Sequence, residues 1–367
     1  MIYIKHETEN NIYEDIVETH EITSFKNLLD IITINDNLDL RENFIFRGLK
    51  KDTYKLIPSA LRTNCNNNIN EYISDSEFHF NLRKQLTIQD LSGKEKTGML
   101  YATIDKEERP LLKRSKITVN SEGELQFKRE VYVLLKFLNY ADMIGLKIPS
   151  NTTIRQWMHN SLEYSSKDDI WPKSEFYEII SLAQHHNLPT RALDWSYDYK
   201  VALFFAVEDI LDNQDNDCIL WAFNYKLFEE KNVSKKGINK EGLVIYRPEY
   251  NTNPNLSAQK GIFTFWASND YTNMNKDTSF DEIIANKLIK YPSENSDKIR
   301  FNLNGTTYEI DSKEKIFHKF IISGKLKVKI LKELYLDGYG HENIYPSYYG
   351  VVNSIKNRVK LEQIIKK

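Results

Sequence analysis

The sequence predicts an α+β fold, a mixed or antiparallel sheet flanked by helices, on three observations. Helical patterns come early in the chain and strand patterns late. No regular βαβ alternation links them, which disfavours a doubly wound sheet. No repeat recurs at solenoid periods, which sets aside a stacked-repeat architecture.

Residues 1–40 read as a helical and strand extension, and 41–360 as the core. Asn43-Phe-Ile-Phe-Arg-Gly48 is a short strand, with Phe44 and Phe46 on one face and Ile45 and Arg47 on the other. Pro58-Ser-Ala-Leu-Arg62 closes a short extended run. From about 64 to 127 an Asn-rich turn, a short helix from Glu77 to Gln85 and a polar stretch read as an inserted lobe. Lys128 to Met143 carries a helical stripe through Val131, Leu134, Leu135, Leu138 and Ala141, ended by Gly145 and Pro149. A second helix runs from an N-cap at Ser174 to about His186 and buries Phe176, Ile179, Ile180 and Ala183. The turn Asn187-Leu-Pro-Thr190 stops it, and Arg191 to Trp195 is strand-like. A third helix, N-capped by Ser196, packs Tyr199, Ala202, Leu203, Ala206 and Ile210. Strands are predicted over Cys218–Phe223, Leu243–Tyr246, Gly261–Trp266 and Lys325–Leu331. A surface insertion at about 273–300 holds a helix from Asp281 to Lys290, and a helix from Val351 to Ile365 closes the chain.

Composition narrows the function classes. The 367 residues contain 50 Lys and Arg against 52 Asp and Glu, a net charge of -2, so no global field draws the chain onto nucleic acid or membrane. Cys65 and Cys218 share no paired spacing, which fits a reducing compartment without a disulfide framework or zinc knuckle. The opening MIYIKHETEN lacks the apolar stretch of a secretory signal, and the apolar run from Val201 to Val207 is far short of the roughly 18 residues of a membrane span. The expectation is a soluble cytoplasmic protein.

Chemistry-bearing side chains crowd into Ala183-Gln-His-His-Asn-Leu-Pro-Thr-Arg-Ala-Leu-Asp-Trp-Ser196. Polar groups this close to a core are costly unless paired. The plain account pairs them with one another: a histidine caps the helix dipole, and Arg191 and Asp194 form an ion pair. Zinc held by His185, His186 and Asp194 is disfavoured because adjacent helical histidines point about 100° apart, so no metal site is assigned. Ser196 lacks a Gly-x-Ser-x-Gly elbow for triad chemistry. Lys325, Lys327 and Lys329 alternate with apolar residues, and Lys113, Arg114 and Lys116 form a second basic point. Both suit a solvated surface or a phosphate-tracking stripe.

Read together, these pieces resemble the FRG domain family, named for its Phe-Arg-Gly triplet. Phe46-Arg47-Gly48 matches that triplet, Pro58, Ser59 and Arg62 match its Pro-Ser-x-x-Arg element, and Gln184 through Trp195 match its Gln-His-His-x-x-Pro-Thr-Arg-x-Leu-Asp-Trp core. The Ala-Leu-Phe-Phe-Ala helix at Ala202 to Ala206 follows. Ala258-Gln-Lys-Gly-Ile-Phe263 is similar to the family's Gln-x-Gly-x-Phe strand, and Ile344-Tyr-Pro-Ser-Tyr-Tyr-Gly350 to its terminal segment. Asn187 stands where the family has glycine, a mild change at a left-handed position.

The resemblance implies a distant similarity to ADP-ribosyltransferases, enzymes that cleave NAD and pass ADP-ribose to a target. It implies Arg47, Asp194 and Gln259 as catalytic residues, and Arg47, Gln184, His185, His186, Thr190, Arg191 and Ser196 as the NAD-binding set. It further implies a protein, RNA or DNA acceptor, no membrane, and a toxin or anti-phage effector restrained by a partner protein such as an antitoxin. Arg suits the diphosphate because its planar fork binds phosphate bidentately. Gln259 is the departure that matters chemically, since a carboxylate would better stabilise an oxocarbenium-like ribose. The alternative is a non-catalytic module that binds nucleic acid or a nucleotide signal in the same cleft. Of the two arginines, Arg191 is expected to be neutralised internally by Asp194. Arg47, with no acidic neighbour after Glu42 and a glycine beside it that opens the backbone to a ligand, is left for the substrate.

Overall fold

The computed structural model describes residues 12–33, 40–62, 68–74, 122–149, 151–159, 170–212, 216–232, 242–251, 253–268, 278–291 and 297–366. Most of the inserted lobe, with its helix from Glu77 to Gln85 and the cluster Lys113, Arg114 and Lys116, lies outside the described residues, as does Cys65.

In chain order, α1 (Ile12–Ile16) runs into β1 (Val17–Ile22), and α2 (Phe25–Thr33) and the single turn α3 (Leu40–Asn43) precede β2 (Phe44–Leu49). Three helices follow, α4 (Glu122–Met143), α5 (Thr152–His159) and α6 (Tyr177–His185), then β3 (Leu193–Ser196) and α7 (Tyr199–Val207). Next come β4 (Cys218–Asn224), α8 (Lys226–Asn232), β5 (Gly242–Tyr246), α9 (Pro254–Ala258) and β6 (Gly261–Ala267). The C-terminal part holds α10 (Phe280–Lys287), the hairpin strands β7 (Ile289–Tyr291), β8 (Lys298–Leu303) and β9 (Thr306–Asp311), then β10 (Phe317–Ile322), α11 (Gly324–Leu336), α12 (His341–Ile344) and α13 (Tyr348–Ile365).

Seven strands form one sheet in the order β1-β10-β4-β2-β3-β6-β5, and β7, β8 and β9 form a second. Only the β1–β10 pair is parallel; the other pairs of the main sheet are antiparallel. The expected α+β class with a mixed sheet therefore holds. The N-terminal stretch does more than extend the core, because β1 supplies the edge of this sheet.

Alternation along β2 explains why the sheet is buried on both faces. Phe44 and Phe46 join Phe204, Leu220, Phe320 and Leu331 under α7 and α11, while Ile45 and Leu49 pack with Trp195, Phe223, Phe280 and Phe317 on the opposite face. A third apolar cluster joins α4, α5 and α6 to the β6 side chains Phe263 and Phe265. A cleft opens where residues of all three clusters meet beside β2 and β3.

Several local expectations change. Lys325–Leu331 is not a strand: it lies within α11, whose buried side chains Lys327, Ile330, Leu331, Leu334 and Tyr335 follow helical spacing. Lysine alternation over seven residues mimicked period two, but burial of Lys327 is made tolerable by its ion pair with Asp209 at 2.9 Å and a hydrogen bond to the Lys50 carbonyl at 3.1 Å. Ser196 is not the cap of α7. Asp198 holds that position and accepts a hydrogen bond from the Lys200 amide at 2.9 Å, while Ser196 ends β3. The helix expected from Asp281 to Lys290 ends at Lys287 and gives way to β7, and its Phe280, Asp281 and Ile284 are buried.

Gly48 owes its identity to packing. A Cβ there would stand 1.9 Å from the Ala202 carbonyl oxygen and 2.7 Å from the Ala206 amide nitrogen. The Phe-Arg-Gly strand and the Ala-Leu-Phe-Phe-Ala helix are thus two halves of one backbone contact, which only glycine permits.

Candidate functional site

β2 and β3 are joined by the single bridge Phe46–Ser196, and the opening beside it is the entrance to a cleft of about 520 Å³. Arg47 reaches across that opening. Its Nη1 lies 2.8 Å from Asp194 Oδ1 and donates to the Asp194 carbonyl at 2.6 Å. The Arg47 side chain is 11% exposed and that of Asp194 is 54% exposed, so the arginine forms the wall and the carboxylate faces the open volume. Arg47 Nε is buried with no hydrogen-bond partner.

Asp194 is held from a second side by Gln184, whose Nε2 donates to its Oδ1 at 3.2 Å. Gln184 is oriented in turn by Thr190 Oγ1 and Ser59 Oγ, which donate to its Oε1 at 2.7 Å and 3.2 Å. The Pro-Ser-x-x-Arg element and the Gln-His-His core therefore meet through side chains. Ser59 also clasps the loop backbone, accepting from the Thr190 amide at 3.1 Å. Enclosure by the cleft walls would by itself raise the Asp194 carboxyl even though its side chain is 54% exposed, but the charge of Arg47 and its hydrogen bond, with help from Arg62, hold it below the usual carboxylate range. It is ionised at neutral pH.

His185, at the end of α6, lines the same cleft. Burial and the neighbouring His186 push its pKa down to about 4, against the opposing pull of Asp194, so it is uncharged at neutral pH. Gln259 also lines the cleft, yet its side-chain amide donates to the Ile344 carbonyl at 3.3 Å and its backbone carbonyl accepts from Ser196 Oγ at 2.7 Å. It ties the cleft floor to α12. Lys50, Arg62, Phe205 and Tyr345 complete the lining relevant to charge and stacking.

The proposed site residues thus divide. Arg47, Gln184, His185, Asp194, Ser196 and Gln259 share one cleft; Thr190 stands behind it, orienting Gln184, and exposed His186 lies outside the lining. Arg191 is removed from it altogether. Its expected partner was Asp194; its actual partner is Glu130 of α4, with Nε–Oε2 at 2.9 Å and Nη2–Oε1 at 3.0 Å. The two side chains are 2% and 4% exposed. Trp171 Nε1 and Gln126 Nε2 donate to the same carboxylate at 3.0 Å and 3.2 Å, so the charge is fully engaged. Arg47 takes the acid instead. Glu130 went unnoticed although it carried a signal: it stands three residues after Phe127 and four before Leu134, on the apolar stripe of its helix.

Among the described residues no helix is long and apolar enough to cross a membrane. Cys218 is free and buried, and burial pushes its thiol up to about 12, which leaves it unreactive.

Comparison with known proteins gives one family. The FRG domain model matches residues 127–215, from α4 past α7; the matched stretch includes Glu130, Gln184, Arg191 and Asp194 but neither Arg47 nor Gln259. No curated protein and no solved structure matches the chain.

Proposed function

We propose that this FRG domain chain is an NAD-consuming ADP-ribosyltransferase whose active site is the Arg47–Asp194 cleft, built on a sheet distantly similar to that of known ADP-ribosyltransferases. The observation that carries the reading is the convergence on one cleft of Arg47, of His185 and Asp194 from one short stretch, and of Gln259, three separate parts of the chain. Its volume lies within the roughly 300–1,000 Å³ of ligand sites.

In this reading the guanidinium of Arg47, with Arg62 and Lys50 nearby, grips the diphosphate. Uncharged His185 and the Gln259 region line the ribose and the leaving ring. The nucleophile of the acceptor attacks C1′ of the nicotinamide ribose as the N-glycosidic bond breaks. Nicotinamide departs neutral with the bonding electron pair, and the nucleophile's proton passes to solvent or to Asp194. Asp194, the single carboxylate among the described lining residues, stabilises the positive charge that builds on the ribose. Its low pKa suits that electrostatic task better than strong general-base work.

A second reading rests on a specific contact. Gln259 is committed to the Ile344 carbonyl rather than free to act on a substrate, as in a cleft that binds a nucleotide and leaves it intact. Lysines 325 and 329 belong to α11 and do not line the cleft, so the basic stripe adds nothing to either reading. Incubation of the purified chain with NAD labelled in the adenine moiety and with cell lysate tests both. Transfer of label together with nicotinamide release, lost in Arg47→Ala and Asp194→Asn, supports the transferase. Saturable NAD binding without nicotinamide release supports the binding module and ends the enzyme reading.

A further inference from the structure

Far along the sheet from the cleft, at its β1 edge, three side chains bring their donor atoms together. Glu18 and His20 are two residues apart on β1 and so share a face, and β10 presents His318 directly opposite Glu18 in the parallel register. His20 Nε2 lies 3.0 Å from His318 Nδ1, His318 Nδ1 3.3 Å from Glu18 Oε2, and His20 Nε2 3.7 Å from Glu18 Oε2. These three atoms are the one such metal-capable group among the described residues.

A hydrogen bond between the two rings, edge to edge with centroids 5.3 Å apart, accounts for one side of this triangle only. His318 Nδ1 approaches both an imidazole nitrogen and a carboxylate oxygen, but a ring nitrogen carries either one hydrogen or one lone pair and satisfies a single partner well. A cation at the centre satisfies all three donors at once. Tetrahedral zinc with bonds of about 2.0–2.1 Å requires donor–donor separations of about 3.3–3.4 Å, which the Glu18–His318 edge has at 3.3 Å; binding an ion turns the two rings from facing one another at 3.0 Å toward the shared centre.

Aromatic neighbours also pack against both rings. His20 stacks on Phe320 with centroids 4.9 Å apart and planes 16° from parallel, and Phe44 packs against His318 at 5.3 Å. His318 is buried, His20 is partly so, and Glu18 is 43% exposed, so the fourth corner of a tetrahedron opens toward water. Two backbone-paired strands make a rigid support for such a site.

We propose that Glu18, His20 and His318 bind one divalent transition ion of the zinc class, with water in the fourth position, and that the ion pins edge strand β1 to β10. None of the three residues lines the cleft, so this assignment stands or falls apart from the transferase reading. Two imidazoles and one carboxylate suit zinc better than magnesium or calcium, which prefer all-oxygen shells.

The test uses the full chain, stripped with a chelator and dialysed, with Zn²⁺ and Co²⁺ as the probes. Calorimetric titration is expected to give one equivalent of bound zinc and a higher melting temperature, reversed by chelator. Co²⁺ is expected to give the visible d–d absorption of a four-coordinate site, bleached when zinc is added. Glu18→Gln and His20→Gln are each expected to weaken zinc binding by at least about tenfold, since even loss of a partner that only orients a ligand costs about 10–100-fold, while His185→Ala leaves it unchanged. Absence of a stoichiometric zinc event, or of the four-coordinate cobalt spectrum, in the unsubstituted chain overturns the proposal whether or not the variants fold. Equal affinity in His20→Gln and the parent overturns it as well.

Discussion

Replacing Arg191 by alanine removes one half of a charge pair that water does not reach. The Glu130 carboxylate left behind is 4% exposed and retains only the neutral donors Trp171 Nε1 and Gln126 Nε2. Breaking a buried pair from one side costs about 3–5 kcal/mol, chiefly the penalty of the orphaned charge. With an unfolding entropy of about 2 cal/mol/K per residue, a chain of 367 residues unfolding as one unit loses roughly 0.8 kcal/mol for each degree near its midpoint. Arg191→Ala should therefore lower Tm by about 4–7 °C, measured by calorimetry at neutral pH. Adding Glu130→Gln removes the stranded charge while leaving an oxygen for Trp171, and should recover at least half of that loss. By contrast Arg47→Ala, whose partner Asp194 is more than half exposed, should move Tm by no more than about 1–2 °C, since such pairs contribute about 0–1 kcal/mol. An Arg191→Ala midpoint within about 1 °C of the parent refutes the reasoning, as does a double variant in which the two losses simply add.

Three further outcomes are expected. Gly48→Ala forces a methyl against the Ala202 carbonyl and should cost at least the about 1–3 kcal/mol of an overpacked core; an unchanged Tm would instead return Gly48 to the role of ligand access. His185 is pushed from 6.5 to about 4, so the folded chain binds fewer protons than the unfolded one between those values, and stability falls as pH drops through that window. The contribution reaches up to about 3 kcal/mol, and His185→Gln should flatten the Tm-against-pH curve from pH 6.5 downward; an unaltered slope rejects the assignment. Lys327→Met strands buried Asp209 and should cost about 3–5 kcal/mol by urea unfolding, whereas Lys327→Met with Asp209→Leu should recover most of it; a double variant as unstable as the single would show that the charge was not the cost.

The sequence by itself determined the elements whose signal is local. The aromatic alternation of Phe44–Leu49, the apolar stripe of α4 and the breaker residues after it fix their own conformations, because periodicity is set by backbone geometry within a few residues. The cleft residues were legible for another reason: the Gln184–Ser196 stretch packs its polar groups into one turn and one strand, so Gln184, His185 and Asp194 arrive together. What only the tertiary structure decided is pairing. Arg191 had Asp194 three residues away and found Glu130 sixty-one residues away, because Arg191 lies in the bend before β3 and is buried against α4, whereas Asp194 stands on β3 and faces the cleft. Lys327 looked like one tooth of a solvated strand until Asp209 gave its charge a buried partner, and the chain there coiled into α11. Gly48 required glycine because α7 lies on it, and Glu18, His20 and His318 converge because a parallel register joins residues nearly three hundred positions apart. A partner across a fold is chosen by distance in space and by the cost of a bare buried charge, and neither quantity is written in the spacing of residues along the chain.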